Sequence, residues 1–226
     1  MLVAGRRLKL AALAAGAATV LAGCGLHPGA AIVVGSTTIS HDEVDDVALA
    51  VCSANLATAR ASNQPLPTLP SRGAREVAVS ILLDTELSQR FGESQGVEAN
   101  AQQVSQAVAQ NENGLALLPE DQREDFRTAL REYAEGQLML IEVGRESLGR
   151  NASEDEALAE GVRLRNEYVD GLDVEVDPRY GRFEDGTFKR GGTSLSVPAS
   201  DRAQAGDQDQ PDEGFVAELP ASQQCS

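Results

Sequence analysis

Asp173-Val174-Glu175-Val176-Asp177-Pro178 alternates acid and valine with period two, so an extended segment here has one apolar and one charged edge, and the proline ends the ladder. An isolated strand leaves its amides unpaired and needs a partner. Ala30-Ala31-Ile32-Val33-Val34-Gly35, a compact apolar run closed by glycine, is the matching candidate near the other end of the chain. Pairing 174–176 with 32–34 brings together the two ends of everything between them. That intervening sequence is helical in pattern. The expectation is a mainly α fold, a helical bundle of about five helices with a small two-stranded sheet pairing the N-terminal and C-terminal ends of a domain over residues 30–198.

Working outward, Ser40-His41-Asp42-Glu43 has the S-x-x-E spacing of a capping box, in which the Ser40 hydroxyl and the Glu43 carboxylate satisfy free amides. A first helix therefore starts at His41 and runs to about Arg60, with Val44, Val47 and Val51 as its apolar stripe. Pro65, Pro67 and Pro70 make a connector that cannot be helical. From Arg75 to Phe91, Val77, Val79, Ile81, Leu82, Leu83, Leu87 and Phe91 cover more than half the circumference, which predicts the most buried helix. Asn100 caps a short third helix that Asn113-Gly114 should stop. Pro119 opens a long fourth helix with Phe126, Leu130, Tyr133, Leu138, Ile141 and Leu148 at helical spacing. Ser153-Glu154-Asp155-Glu156 is a second capping box and opens the fifth. Beyond Pro198 large apolar residues are few, and residues 199–226 read as a disordered acidic tail.

Composition removes several functions. The 226 residues carry a formal net charge of −16, with 19 Lys+Arg against 35 Asp+Glu, so most of the surface repels a phosphate backbone and nucleic acid is not expected as a partner. Aromatics are 4% and Trp is absent, which leaves an aliphatic core and no stacking platform for bases.

The compartment is read from residues 1–23. Arg6, Arg7 and Lys9 precede an uncharged apolar stretch from Leu10 to Ala22, the layout of a secretory signal peptide and too short to span a bilayer comfortably. Leu21-Ala22-Gly23-Cys24 resembles the bacterial lipobox. The resemblance implies lipid attachment at Cys24, with diacylglyceryl and palmitate chains, and a protein tethered by residues 24–29 to the extracytoplasmic face of the cell membrane. Cleavage before Cys24 would remove three cations and take the net charge from −16 to −19.

Outside the cytoplasm thiols oxidise, and the remaining cysteines are Cys52 and Cys225. Two readings stand: a disulfide tying the tail to the first helix, or a small apolar core residue at Cys52 with a free thiol at Cys225.

Catalytic patterns are missing. His27 and His41 are the two histidines, one in the tether and one in a helix's first turn, so a Ser-His-acid arrangement has no positioned imidazole. Phosphate-binding glycine loops, C-x-x-C pairs and zinc-ligand spacings do not occur. The acidic clusters Asp42/Glu43/Asp45/Asp46 and Glu154/Asp155/Glu156 fit solvated helix starts better than a cation site. No catalytic, metal or cofactor residue is assigned and no enzyme is expected.

The segments 31–35 and Ile39-Ser40, with the late stretch Val174 to Phe183 containing Pro178-Arg179-Tyr180-Gly181 and then Leu195-Ser196-Val197-Pro198, resemble the ends of the SurA N-terminal domain and of related PrsA-like and trigger-factor-like chaperones. In that family a strand and a helical bundle are closed by a returning helix and strand. Members that isomerise prolyl bonds insert a parvulin domain before the returning helix. Here only Gly149 to Ala152 separate those helices, far less than the roughly 50 residues of a small domain. The resemblance implies a holdase-like chaperone of unfolded or secreted polypeptides without prolyl isomerase activity, its acidic surface favouring basic or neutral clients. The alternative is a lipid-anchored docking protein for one envelope partner.

Overall fold

The computed structural model describes residues 29–64, 69–190, 198–208 and 211–225. The signal peptide, Cys24, His27 and Leu195 to Val197 lie outside them.

The fold is mainly α with small antiparallel sheets. Strand β1 (Ala30–Val34) turns at Gly35 into β2 (Thr37–Ser40). Helices α1 (His41–Ala61), α2 (Ser71–Ser94), α3 (Ala101–Gln110) and α4 (Glu112–Leu115) follow. A 3-10 turn (Glu120–Gln122) leads into the long α5 (Arg123–Leu148), and α6 (Glu154–Val169) returns to β3 (Val174–Val176). As the alternation of valines requires, β3 lies antiparallel to β1, with Val176 opposite Ile32 and Val174 opposite Val34. β2 adds a third strand on the other side, giving the order β2-β1-β3. Every residue of β1 is buried, as expected of a central strand between two neighbours.

Local chemistry sets the helix starts. Both capping boxes form: Ser40 with Glu43, and Ser153 with Glu156, each with reciprocal side-chain and backbone bonds. Asn100 accepts from the amides of Gln102 and Gln103 at the start of α3. The third helix ends before the expected stop, at Gln110, and Asn113-Gly114 lies inside the short α4 instead.

Two apolar clusters fill the interior. The larger joins β1 to α1 and α2 through Ile32, Val34, Val44, Val79 and Leu83, with Val169 and Tyr180 closing it. The smaller joins α2 to α5 through Phe91, Leu140 and Val143, with Leu158, Val162 and Tyr168 of α6 packed against them. Fully burying a side chain such as Val44, Val79 or Leu83 contributes about 1.5–3 kcal/mol relative to leaving it exposed. The crossing of α5 and α6 is closer than side-chain packing allows. A Cβ placed on Gly144 would overlap the backbone carbonyl of Ala157, and one on Gly161 would overlap that of Leu140. These helices touch backbone to backbone because both positions are glycine.

Two residues of the expected apolar stripe of α5 face solvent: Tyr133 is 38% and Leu148 53% exposed. Leu148 is the helix's last residue.

A second sheet had no counterpart in the sequence reading. β4 (Gly181–Glu184) and β5 (Thr187–Arg190) form a hairpin whose turn places Asp185 and Gly186 at positive φ, 53° and 70°. Phe183 and Phe188 face each other across it and pack on the larger cluster.

The disordered tail is corrected. Among its described residues, α7 (Asp201–Gly206) is capped by Ser200 and α8 (Glu213–Ala217) by Asp212. Gln224 bridges the backbone of Pro70, and the Cys225 amide donates to the Leu69 carbonyl at 2.8 Å. Short polar caps order these turns locally, and Val216, only 1% exposed, supplies an apolar anchor that composition alone dilutes.

Candidate functional site

Packing leaves a groove where α1 passes the start of α5. Val47, Leu49 and Ala50 of α1 face Phe126 and Ala129 of α5 and Gln122 of the 3-10 turn, around a cavity of about 200 Å³. Ala50 and Ala129 are too short to fill the space between the helices. Leu49 stands at the edge, 51% exposed. The charged side chains at the rim are Asp46, Asp121 and Asp125, all exposed acids. The Gln122 side-chain oxygen is buried and accepts no hydrogen bond from another described residue. The volume is below the roughly 300–1,000 Å³ of small-ligand pockets, so the site suits an inserted side chain better than a free metabolite.

A second, polar cavity of about 320 Å³ lies where the two ends of the domain meet, lined by His41, Asp45, Arg72, Arg75, Arg179 and Tyr180. Three elements supply them: the first turns of α1 and of α2, and the turn after β3. The Tyr180 hydroxyl is 2.9 Å from His41 Nδ1, and His41 Nε2 is 3.5 Å from Asp177. Burial, then the charge of Asp45, raises the Tyr180 pKa above the ordinary tyrosine value, so the hydroxyl stays protonated. Each arginine gives its Nε to a carboxylate: Arg72 to Glu76, Arg75 to Asp45, Arg179 to Asp177.

A third polar group is structural. Arg165 of α6 is buried and pairs with Asp84 of α2, which also accepts from Gln137 of α5, while the same guanidinium donates to Ser88 at 3.0 Å. It fixes three helices to one another.

Cys52 and Cys225 are joined as a disulfide with their Cα atoms 5.2 Å apart. His41 sits in a first helical turn, as its place after the capping serine requires, and meets Tyr180 there. Among the described residues no group of three or more His, Cys, Asp or Glu could hold a metal ion. No helix among them is long and apolar enough to cross a membrane. Sequence reasoning missed Leu49 and the arginine cluster. Leu49 falls off the Val44–Val47–Val51 stripe, and an apolar residue off the stripe is the available signal. Arg72 and Arg75 are neighbours at i, i+3 on one helix, but Arg179 is far from them in the chain and no sequence signal joins it to them.

Comparison with known proteins finds no matching family model, no matching curated protein and no matching solved structure.

Proposed function

We propose that this chain is a lipid-anchored extracytoplasmic protein that binds non-native polypeptide segments, a holdase without prolyl isomerase activity. The observation that carries the reading is the open apolar groove between α1 and α5, with Leu49 half in solvent at its edge. A groove of this size takes one or two apolar side chains from an extended or helical segment, and shielding such side chains is what keeps unfolded chains from aggregating. Weak, exchangeable binding is expected from so small a contact. The lipobox-like Leu21 to Cys24 supports the anchor, and the resemblance of the strand ends to chaperone domains supports the client class.

The test follows light scattering as a denatured secreted protein is diluted into buffer containing the mature chain at stoichiometric amount. Delayed aggregation, abolished by Leu49→Asp, is the expected result. No delay with any of several clients would overturn the holdase reading in favour of a dedicated docking protein. The anchor is tested separately by labelling cells with a fatty acid: wild type should incorporate it and Cys24→Ser should not.

A further inference from the structure

We propose that the arginine cavity at the closure of the domain docks the phosphodiester headgroups of anionic phospholipids and so orients the body on the membrane. This rests on the lipid-anchor reading above. The argument begins with where the tether ends. The amide of His41, which lines the cavity, donates to the carbonyl of Gly29 at 3.3 Å. Gly29 lies five steps along the chain from Cys24, and a fully extended chain spans at most about 3.6 Å per residue, so an acyl-bearing Cys24 holds this face within roughly 18 Å of the headgroups.

The rest of the chain then decides which way it faces. Cleaved before Cys24, the tethered chain has a formal net charge of −19, so an anionic membrane repels most of its surface and the body turns inward the face on which cations offset the acids. At the tethered end Arg72, Arg75 and Arg179 offset Glu76, Asp45 and Asp177, three cations against three carboxylates. The arginine side chains are 45%, 40% and 62% exposed. Ion pairs this exposed are weak and exchangeable, and a guanidinium holding a carboxylate through Nε keeps further N–H donors for a second oxyanion. Arg72 spends one of these on the Gly206 carbonyl at 3.3 Å. Phosphate oxygens match the planar fork of arginine, which favours headgroup phosphates over neutral lipids. The client groove lies on another part of α1 and has no residue in common with this cavity.

The experiment sediments vesicles with the mature chain carrying Cys24→Ser, which lacks the acyl chains but keeps every described residue. Binding to phosphatidylglycerol-containing vesicles, weakened by salt and absent on pure phosphatidylcholine, is expected. Arg75→Gln with Arg179→Gln should weaken it about tenfold or more, Arg75→Lys with Arg179→Lys should retain most of it, and Arg131→Gln on the exposed face of α5 should leave it unchanged. If the glutamine pair does not fold, guanidinium modification of the wild type is read by mass spectrometry, with anionic vesicles protecting Arg75 and Arg179. Equal binding to both vesicle types, no effect of the folded glutamine pair, or no protection overturns the proposal. Binding of inorganic phosphate with none of vesicles also overturns it, in favour of a soluble oxyanion site. None of these outcomes touches acylation at Cys24, so failure here and failure of the anchor reading are separable.

Discussion

The two halves of α5 make opposite contacts. Its C-terminal half meets α6 backbone to backbone, with Gly144 against Ala157 and Gly161 against Leu140, and no side chain intervenes. Its N-terminal half faces α1 across a cavity of about 200 Å³ rimmed by acids. The difference teaches how one helix serves as both support and surface. Where the backbone approaches this closely the packing tolerates no added atom, and that rigidity lets the other half hold an incompletely filled face open without collapse.

The largest effect should come from breaking the tight half. Gly144→Ala puts a methyl into a backbone carbonyl and should cost about 3 kcal/mol or more, seen as a lower denaturation midpoint. A change below about 1 kcal/mol would mean the crossing is looser than described. Next comes the disulfide. It closes a loop with a sequence separation of 173, for which loop-closure entropy gives about 5 kcal/mol, and replacing both cysteines by serine should cost between about 2 and 5 kcal/mol. An unchanged midpoint after reduction would show that the tail is held by its other contacts.

On the open side the expectation inverts. Leu49→Asp changes an exposed residue and should move stability by less than about 0.5 kcal/mol while removing client protection. A loss of stability comparable to Gly144→Ala would show that the groove is part of the core. The smallest effect is a pH dependence at the tight crossing. Hydrogen bonds from Arg163 and then Ser147 hold the Glu160 pKa down to about 2, against 4.5 unperturbed. A carboxylate depressed in the folded state contributes stability present above the unfolded value and lost as pH falls toward 2. Glu160→Gln should therefore flatten the acid limb of the stability profile between about pH 4.5 and 2, and an unchanged limb would remove Glu160 from the crossing.

What the sequence made legible was local or periodic. Ser40 and Ser153 announce their helices because a capping box is complete within four residues, and β3 announces itself by its alternating valines. β2 carries a single large apolar residue, Ile39, and exists because β1 offers it a ladder across the Gly35 turn. The hairpin was legible in principle: Asp185-Gly186 between Phe183 and Phe188 is a turn signal flanked by apolar residues. The tail was legible only in part: Ser200 and Asp212 cap its short helices locally, but the bond to Cys52 and the backbone bridge to Pro70 that hold it to the body are encoded by no local pattern. The candidate site divides the same way. Phe126 lies at helical spacing and reads as core, yet only its position opposite Ala50 leaves it lining a groove. Arg179 meets Arg72 and Arg75 only because β3 returns to β1.

The bond between Cys52 and Cys225 also sets a clock. A chain made from its N-terminus at about 5–20 residues per second separates the two thiols by roughly 9–35 s, for a spacing of 173 residues. Through that interval Cys52 has no correct partner, and for most of it α1 lacks both Tyr180, which meets His41, and the tail. Oxidation arriving early could join Cys52 only to Cys24 or to the thiol of another molecule. Closure of this fold therefore waits on Cys225, and a truncation that removes it leaves α1 with a thiol that never finds its mate.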